Sequence, residues 1–587
     1  MKQQARRHWF WIACLIVVGC TELRDPNQVF ESAGSAGAGS SNAGKAGESA
    51  APGGSSGTTS GNGGGGSSGG GVSAGTPSSG GKPSADAGSA STSNSAGEAG
   101  ATPADDCQDP TGFHGLGCYS CPPTEIFTLE NACSAATCTR FDDAARLTLL
   151  GQDGKLPTLP TPEGGAGAGG SSGASGASGA SGASGAAGTG GTGKACTDLA
   201  GLGKVVYITG SSAAKPFLQQ IAQQLVAQNI FIVYESTGSC VGVDAVVNGT
   251  PMTTGPNAAA LTATYWDSSA SNGVACDLPT EGIAADIGAS DVFAQSCPGF
   301  ELSNLDTQQV RDAHGPIQTM TFAVPANSAY SEISAEAAYF AFGFGAAGGV
   351  RDASGALAIW NDENYLFKRS ATSGTQAMLA AAIGVPAAVW KGKAHKTSDD
   401  VAADIQAAGQ SQSTANLALG IIAADYIDSK NLRAQVRVLA FQDSEQHCAV
   451  FPDSTSNAKD KRNVRDGHYP VWGPLHLLLR VDSLGNPINP ANRQAVTDIV
   501  GYLSGTKPLP NGVKLINVYA QSGLVPECAM HVTRSKDGGN IVPFHPSSPC
   551  SCLFDVTATG VTSCTPCTVQ GDCKSTETCS QGYCEVQ

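Results

Sequence analysis

Residues 367–379 read FKRSATSGTQAML, and this stretch guides the interpretation of the rest of the chain. A short segment ends at Arg369, a turn of small residues follows, and Ser373, Gly374 and Thr375 open an alanine-rich helical run. Small residues at a helix start let backbone N–H groups point at a negative ligand, and arginine adds a forked charge suited to an oxyanion. Alone, such a turn is more typical of plain helix capping.

Three other turns of glycine and hydroxyl residues share this character. They read TGSSAAKP at 209–216, STGS at 236–239 and DIGASD at 286–291. Each lies at the end of a strand-like segment or before a helical one, where hydroxyl and backbone donors are available to an anion. Any one of them is usually a cap, so their order along the chain carries the interpretation.

In this order, the four turns resemble the phosphate-binding proteins of bacterial ABC transporters, over about 204–505. The most specific marks are DIGASD at 286–291 and the R-x-x-x-S-G-T pattern at 369–375. Supporting marks are NLALGII at 416–422 and YPV at 469–471. The resemblance implies an α/β fold: a two-lobed type II periplasmic-binding-protein-like domain with hinge strands and the ligand in the interlobe cleft.

The resemblance also implies which residues hold phosphate or a related oxyanion. Arg369 would pair with the anion, Ser239 would donate from the other lobe, and Asp291 would accept the proton of the ligand. The remaining implied ligand residues are Ser211, Ser212, Ser373, Gly374 and Thr375. Because sulfate has no proton at neutral pH, a carboxylate at Asp291 would favour phosphate over sulfate. We expect no catalytic residue, no cofactor and no metal.

The chain departs from the family pattern at three places. Ala214 and Lys215 stand before the proline of the first turn, where the family often has threonine or an aromatic residue; Lys215 either adds charge to the cleft or faces solvent. Ala371 replaces an acidic residue that orients the arginine in many relatives, so Arg369 must be oriented by other groups. An insertion at about 250–283 separates the second and third turns.

The charge balance bears on the partners that the protein can have. The 587 residues carry 33 Lys and Arg against 49 Asp and Glu, a net charge of −16. A net-acidic surface disfavours nucleic acid, although a small anion can still bind in one locally positive pocket.

The first twenty residues are typical of a targeting segment. A basic start precedes an apolar run at 9–19 that is too short to span a bilayer, and the run ends in VVGC. This pattern resembles a bacterial lipobox with lipidation at Cys20; the alternative is an ordinary secretory signal with a chance cysteine. Both interpretations predict export. The lipobox also predicts a lipid-anchored protein in the cell envelope, facing the periplasm or on the cell surface. No later stretch predicts a transmembrane helix.

Composition divides the chain into six predicted parts. They are a signal peptide (1–20), a Gly/Ser/Ala-rich disordered tether (21–104), a small Cys-rich module (105–160), a Gly/Ala/Ser linker (161–194), the phosphate-binding-protein-like domain (195–545) and a Cys-rich C-terminal module (546–587).

The 20 cysteines predict disulfides, because the protein is expected to be exported. Cys118-Tyr-Ser-Cys121 has zinc-knuckle spacing, but a disulfide-stapled module is the favoured interpretation. The first module has an odd number of cysteines, so Cys196 is a candidate partner. Cys276 and Cys297 flank the third turn and are a candidate pair. A buried or bridged state is favoured for Cys240.

Three function classes compete. The first is an exported, lipid-anchored solute-binding protein for phosphate or a similar oxyanion, with an ABC permease as a possible partner. The second is a cell-surface or structural protein that uses the fold as a scaffold, which the tether and the Cys-rich modules favour. The third, a hydrolase, is disfavoured because no Gly-x-Ser-x-Gly elbow occurs outside low-complexity sequence.

Overall fold

The computed structural model describes residues 118–119, 126–160, 194–253, 263–267, 273–300, 309–444 and 446–586. The predicted signal peptide, Cys20, the tether and all but Lys194 of the predicted linker lie outside these residues. Among the helices of the described part of the chain, none combines the length and the apolar character needed to cross a bilayer.

Seventeen strands and thirteen α-helices are described. The strands are β1 (Lys204–Gly210), β2 (Ile230–Ser236), β3 (Ala263–Tyr265), β4 (Val274–Cys276), β5 (Ile287–Ser290), β6 (Val310–Pro325), β7 (Glu332–Ser334), β8 (Leu366–Arg369), β9 (Lys393–His395), β10 (Leu419–Ala423), β11 (Val436–Val438), β12 (Ala440–Gln442), β13 (Trp472–Arg480), β14 (Val532–Thr533), β15 (Val542–Pro543), β16 (Glu577–Ser580) and β17 (Tyr583–Val586). The helices are α1 (Ile126–Glu130), α2 (Asp143–Arg146), α3 (Lys215–Leu225), α4 (Ser239–Val247), α5 (Ala335–Phe344), α6 (Gly374–Ile383), α7 (Ser398–Ala408), α8 (Gln412–Leu417), α9 (Ala424–Ser429), α10 (Arg462–Arg465), α11 (Arg493–Leu503), α12 (Leu515–Ser522) and α13 (Ser551–Thr559).

An 11-stranded mixed sheet organises these elements and confirms the predicted α/β class. Its order is β4-β3-β2-β1-β5-β13-β6-β10-β8-β9, with β11 also paired to β6. β1 runs parallel to β2 and β5, and β10 runs parallel to β8, whereas β13 is antiparallel to both of its neighbours. The carboxyl ends of β1, β2 and β5 therefore lie along one edge.

The 16-residue strand β6 is shared by two parts of this sheet. Its residues 310–319 pair with β13, next to β5 and β1. Its residues 320–325 pair with β10 and β11, next to β8. One continuous strand therefore joins the part of the sheet that carries the first three turns to the part that carries the fourth.

Amphipathic patterning explains α3. After Pro216 the apolar residues Phe217, Ile221 and Leu225 recur at helical spacing, which predicts a helix, and their side chains are buried in one cluster with residues of β1 and β2. The sequence VRVLAF at 436–441 predicts one strand, but the structure has two strands here, because the chain pairs first with β6 and then, beyond Leu439, with β7.

Segments outside the predicted central domain contribute to the same core. Leu129 and Phe141, from the predicted first module, and Phe554, from the predicted tail module, belong to the buried cluster that contains Phe322 of β6. Apolar side chains from all three parts are thus removed from water together, which couples their stability.

Disulfides join the described cysteines in eight pairs. They are Cys118–Cys133, Cys138–Cys448, Cys196–Cys276, Cys240–Cys297, Cys528–Cys550, Cys552–Cys564, Cys567–Cys579 and Cys573–Cys584. The favoured disulfide interpretation holds for Cys118, and the favoured bridged state of Cys240 is confirmed. Cys107 and Cys121 lie outside the described residues.

Two of the predicted pairings are wrong. Cys196 pairs with Cys276 rather than with a cysteine of the first module, because β4 places Cys276 beside the segment that leads into β1. Cys297 pairs with Cys240 rather than with Cys276, because α4 packs on β5 and lies next to the loop that follows it. The Cys240–Cys297 bond therefore ties the second turn to the segment just beyond the third.

Removing the Cys138–Cys448 bond by a double serine substitution is expected to lower the free energy of unfolding by about 2–4 kcal/mol. This bond anchors the segment that carries Phe141, and backbone hydrogen bonds between Thr139 and Ala449 flank it. Guanidinium unfolding followed by tryptophan fluorescence measures the change. The double serine variant of Cys567–Cys579 in the tail is the control, and equal midpoints for the two variants would contradict the prediction.

Candidate functional site

The four turns meet at the ends of their strands. The first and second follow β1 and β2, and the fourth follows β8 and leads into α6. The turn predicted at 286–291 is wrong for most of its length, because residues 287–290 form β5 and only Asp291 lies beyond the strand end. All eight residues implied as anion ligands are buried: Ser211, Ser212, Ser239, Asp291, Arg369, Ser373, Gly374 and Thr375. Carboxyl ends of strands that abut helix starts are a common location for ligands in α/β sheets.

Asp291 and Ser239 form the first contact of the site. The Ser239 hydroxyl donates to Oδ2 of Asp291 at 3.1 Å, and the Asp291 backbone N–H donates to Oγ of Ser239 at 3.1 Å. The other carboxylate oxygen of Asp291, Oδ1, is buried without a hydrogen-bond partner among the described residues. Burial raises the pKa of Asp291 above its usual value. The Oδ1 atom can accept a hydrogen bond from a protonated ligand.

Arg369 is the buried cation of the site, with 2% of its surface exposed. Its Nη1 donates to Oγ of Ser398 at 3.0 Å, and its Nη2 donates to Oγ of Ser212 at 3.0 Å and to the carbonyl oxygen of Lys396 at 2.7 Å. Burial lowers the pKa of Arg369 to about 10, so the guanidinium stays charged at neutral pH. These neutral groups orient the arginine in place of the acidic residue that Ala371 replaces.

No ion pair to Arg369 occurs among the described residues, and its Nε is buried without a hydrogen-bond partner there. The carboxylates of Asp291, Asp400 and Asp399 favour its charge from a distance but do not contact it. A buried charge without a directly bonded counter-charge is costly, because burial removes it from water. An anionic ligand would supply that direct contact.

The start of α6 offers uncommitted donors beside Asp291. Ser373 occupies the N-cap position, but its side chain makes no capping hydrogen bond, and Oγ1 of Thr375 is buried without a partner among the described residues. The first N–H groups of a helix also lack partners within the helix. Because Gly374 lies against Ser239 and Asp291, these hydroxyl and backbone donors begin next to Asp291.

Gly374 holds the fourth turn tightly against the second and third. A Cβ at this position would lie 2.3 Å from Oγ of Ser239 and 2.8 Å from Cβ of Asp291. The backbone N–H of Cys240 also donates to the carbonyl oxygen of Thr372 at 3.1 Å. The two parts of the sheet are in direct contact here.

Replacing Gly374 by alanine is expected to weaken phosphate binding by about tenfold or more, because overpacking at a tight contact typically costs about 1–3 kcal/mol. Calorimetric titration with phosphate measures the loss. Gly201→Ala is the matched control, since a Cβ at Gly201 meets no atom within 4 Å. Equal affinities for the two variants would show that the contact at Gly374 does not shape the site.

The two serines of the first turn have different surroundings. Oγ of Ser211 accepts hydrogen bonds from the N–H groups of Ala213 and Ala214, at 3.1 and 3.2 Å, so it caps the turn before α3. Its hydroxyl also interacts with the carboxylate of Asp291 and lowers the pKa of that group, against the larger effect of burial. Ser212 instead contacts Arg369 through its hydroxyl. Lys215 donates to Oγ1 of Thr264 at 3.5 Å, on β3 of the insertion, and makes no described hydrogen bond to the other site residues.

Two further groups of the site were not predicted from sequence. Ser398, the first residue of α7, bonds Arg369 from 29 positions further along the chain. Asp425 is a buried carboxyl with its Oδ1 unpartnered among the described residues. Burial, reinforced by the charge of Asp291, raises the pKa of Asp425 well above its usual value. No spacing or motif distinguishes either residue, so only their three-dimensional placement reveals them.

Comparison with known proteins gives distant structural likenesses only. No protein-family model matches the chain, and no curated protein matches it. The similar solved structures include an ABC-type phosphate transport receptor from Vibrio cholerae (12% identity, TM-score 0.31, covering 55% of this chain and 99% of that one). They also include PstS from Borrelia burgdorferi (13% identity, TM-score 0.28, covering 55% of this chain and 98% of that one). A third is the reduced OxyR regulatory domain from Pseudomonas aeruginosa (10% identity, TM-score 0.27, covering 51% of this chain and 96% of that one). Likenesses this distant do not establish a shared function.

Proposed function

We propose that the protein is an exported, lipid-anchored solute-binding protein that holds phosphate or a related oxyanion between Arg369 and Asp291. The observation that carries this proposal is the buried guanidinium of Arg369, which has no ion pair among the described residues. An oxyanion on the Nε side of Arg369 would gain a charge-assisted hydrogen bond, together with hydroxyl and N–H donors from the start of α6.

The proposed anion carries a proton. Oδ1 of Asp291 is a buried acceptor without a partner among the described residues, and an ionised carboxylate repels an anion that has no proton to share. Mono- or dihydrogen phosphate and the corresponding arsenate species satisfy this requirement, whereas sulfate does not. Phosphate is therefore the expected ligand.

We propose a two-lobed type II arrangement in which β6 is a hinge strand. The shared strand, and the contact of Gly374 with Ser239 and Asp291 from the other part of the sheet, support a cleft that closes over its ligand. The anion would bind at the junction and stabilise the closed form, because only that form brings Arg369 and Asp291 together.

Export and anchoring through Cys20 remain part of the proposal, and so does delivery of the anion to an ABC permease. The disulfides support an oxidising compartment such as the periplasm or the cell surface. We propose binding without catalysis, since the implied ligands are donors and a proton acceptor rather than a nucleophile with its base. A phosphatase assay of the purified protein tests this part.

One observation favours the alternative, in which the fold is a cell-surface scaffold. Arg369 is already hydrogen-bonded to Ser212 and Ser398, and Ser239 to Asp291, so several site groups partly satisfy one another without a ligand. A protein that acts only as a scaffold would need no ligand beyond these internal hydrogen bonds.

Thermal unfolding with added anions separates the two functions. Phosphate at 100 times its dissociation constant would stabilise the protein by about 2.7 kcal/mol and raise its Tm, whereas the same concentration of sulfate would not. An unchanged Tm up to millimolar phosphate would support the scaffold instead.

A further inference from the structure

Asp312, His314 and His476 lie together on two neighbouring strands. Asp312 and His314 are two residues apart on β6, so both side chains project from the same face of the strand. His476 on β13 is the register partner of His314 on β6. The register of this strand pair shifts between Pro474 and His476. The sequence gives no metal-binding spacing here, because 162 positions separate His476 from its nearest partner, His314.

The possible ligand atoms of this His/His/Asp cluster are close enough for one ion. One nitrogen or oxygen from each of the three side chains lies within 4.8 Å of the others. Nδ1 of His476 is 2.7 Å, and Nε2 of His314 is 3.9 Å, from Oδ2 of Asp312. These separations bracket the value of about 3.3 Å expected for two ligands that each lie about 2.0–2.1 Å from a tetrahedral zinc ion.

The surroundings of the cluster suit a partly enclosed ion. His476 is fully buried, and the ring of Phe293 packs 4.3 Å from its ring, centroid to centroid. The His314 side chain is 41% exposed, which leaves an approach from solvent. Oδ1 of Asp312 is buried without a hydrogen-bond partner among the described residues. A cation bound by this carboxylate would compensate its burial.

We propose that Asp312, His314 and His476 form a binding site for a divalent transition-metal ion of the zinc class. The proposal does not rest on the oxyanion function, although His476 pairs with Ser290, the residue before Asp291. Two imidazoles and one carboxylate are a ligand set that zinc binds readily, and a water molecule would complete a four-coordinate shell. The hydrogen bond between His476 and Asp312 would be replaced by bonds from both groups to the ion.

Titration of the full chain with Zn²⁺ alone, after dialysis against a chelator and then against buffer, tests the site. Calorimetry is expected to show one saturable equivalent. Co²⁺ in place of zinc is expected to give visible absorption bands of a nitrogen- and oxygen-ligated ion. His314→Gln, which removes a partly exposed ligand, should weaken Zn²⁺ binding by about tenfold or more, and Asp312→Asn should do the same.

His531→Gln is the matched control, because His531 is also a half-exposed histidine paired with one carboxylate, Asp466, at 2.7 Å. It should leave the Zn²⁺ affinity unchanged. Thermal melts of each variant without metal show whether it is folded. The proposal is overturned if the wild-type chain takes up no saturable Zn²⁺. It is also overturned if folded His314→Gln and Asp312→Asn variants bind it as tightly as the control does.

Discussion

Replacing Arg369 by methionine abolishes measurable phosphate binding in our account. Losing one partner of a buried, hydrogen-bonded charge pair costs about 2–5 kcal/mol, which corresponds to roughly 30- to 4,000-fold in affinity. Methionine fills a similar volume without charge or donors. The ligand would then be buried against Asp291 with no cation to balance it.

The ligand-free stability of this variant provides a second readout. Arg369 makes three neutral hydrogen bonds but is a buried charge without an ion pair among the described residues. We expect these two contributions to offset each other to within about 1 kcal/mol in the free energy of unfolding, because replacing a buried charge by an apolar group is often neutral. Arg493→Met is the control, since Arg493 pairs with Asp482 at the surface. Phosphate affinity within threefold of wild type for Arg369→Met would show that the anion binds elsewhere.

Replacing Asp291 by asparagine is expected to collapse the discrimination between phosphate and sulfate by roughly 100-fold or more. Sites that form a hydrogen bond to one group of a ligand reject analogues lacking that group by large factors. The asparagine amide offers sulfate a donor where the carboxylate offers repulsion, and it removes the preferred acceptor for the phosphate proton. Paired titrations of both anions at pH 8 measure the ratio.

The pH dependence of this discrimination has a definite sign. Burial raises the pKa of Asp291, so the carboxyl becomes protonated as the pH falls, at values above those usual for aspartate. A protonated carboxyl donates a hydrogen bond and no longer repels sulfate. Wild-type discrimination should therefore weaken as the pH decreases from 8, whereas that of Asp291→Asn should not follow this titration.

Asp286→Asn is the matched control, because it changes the other aspartate of the same six-residue turn. The oxygens of Asp286 are already used: Oδ1 accepts from Asn489 at 2.8 Å, and Oδ2 accepts from the backbone N–H of Tyr207 at 3.0 Å. This variant should change stability but leave the phosphate-to-sulfate ratio unchanged. If it shifted the ratio as much as Asp291→Asn did, the selectivity would not arise at Asp291.

Local patterns allowed much of the framework to be predicted. Three of the four predicted glycine and hydroxyl turns lie after a strand or at a helix start, whereas most of the stretch 286–291 is strand β5 itself. Short continuous apolar runs are typical of buried strands such as β1 and β2, and apolar residues at helical spacing indicate α3, because these patterns are encoded locally. The contact between Gly374 and the other turns is not local, so it was available only through the resemblance.

Long-range pairing explains what the sequence did not reveal. Disulfide partners depend on which strands and helices become neighbours, so Cys196 and Cys297 were assigned wrongly. Ser398 and the Lys396 carbonyl reach Arg369 only because α7 begins beside β8. The His/His/Asp cluster likewise exists only because β6 pairs with β13.

A crystal structure of the protein grown with phosphate tests the central claim most directly. We predict a tetrahedral anion within hydrogen-bond distance of Nε of Arg369 and Oδ1 of Asp291, with further hydrogen bonds from residues 373–375. A fully phosphate-saturated protein in which those two atoms remain without the anion, or in which the anion binds elsewhere, would contradict it.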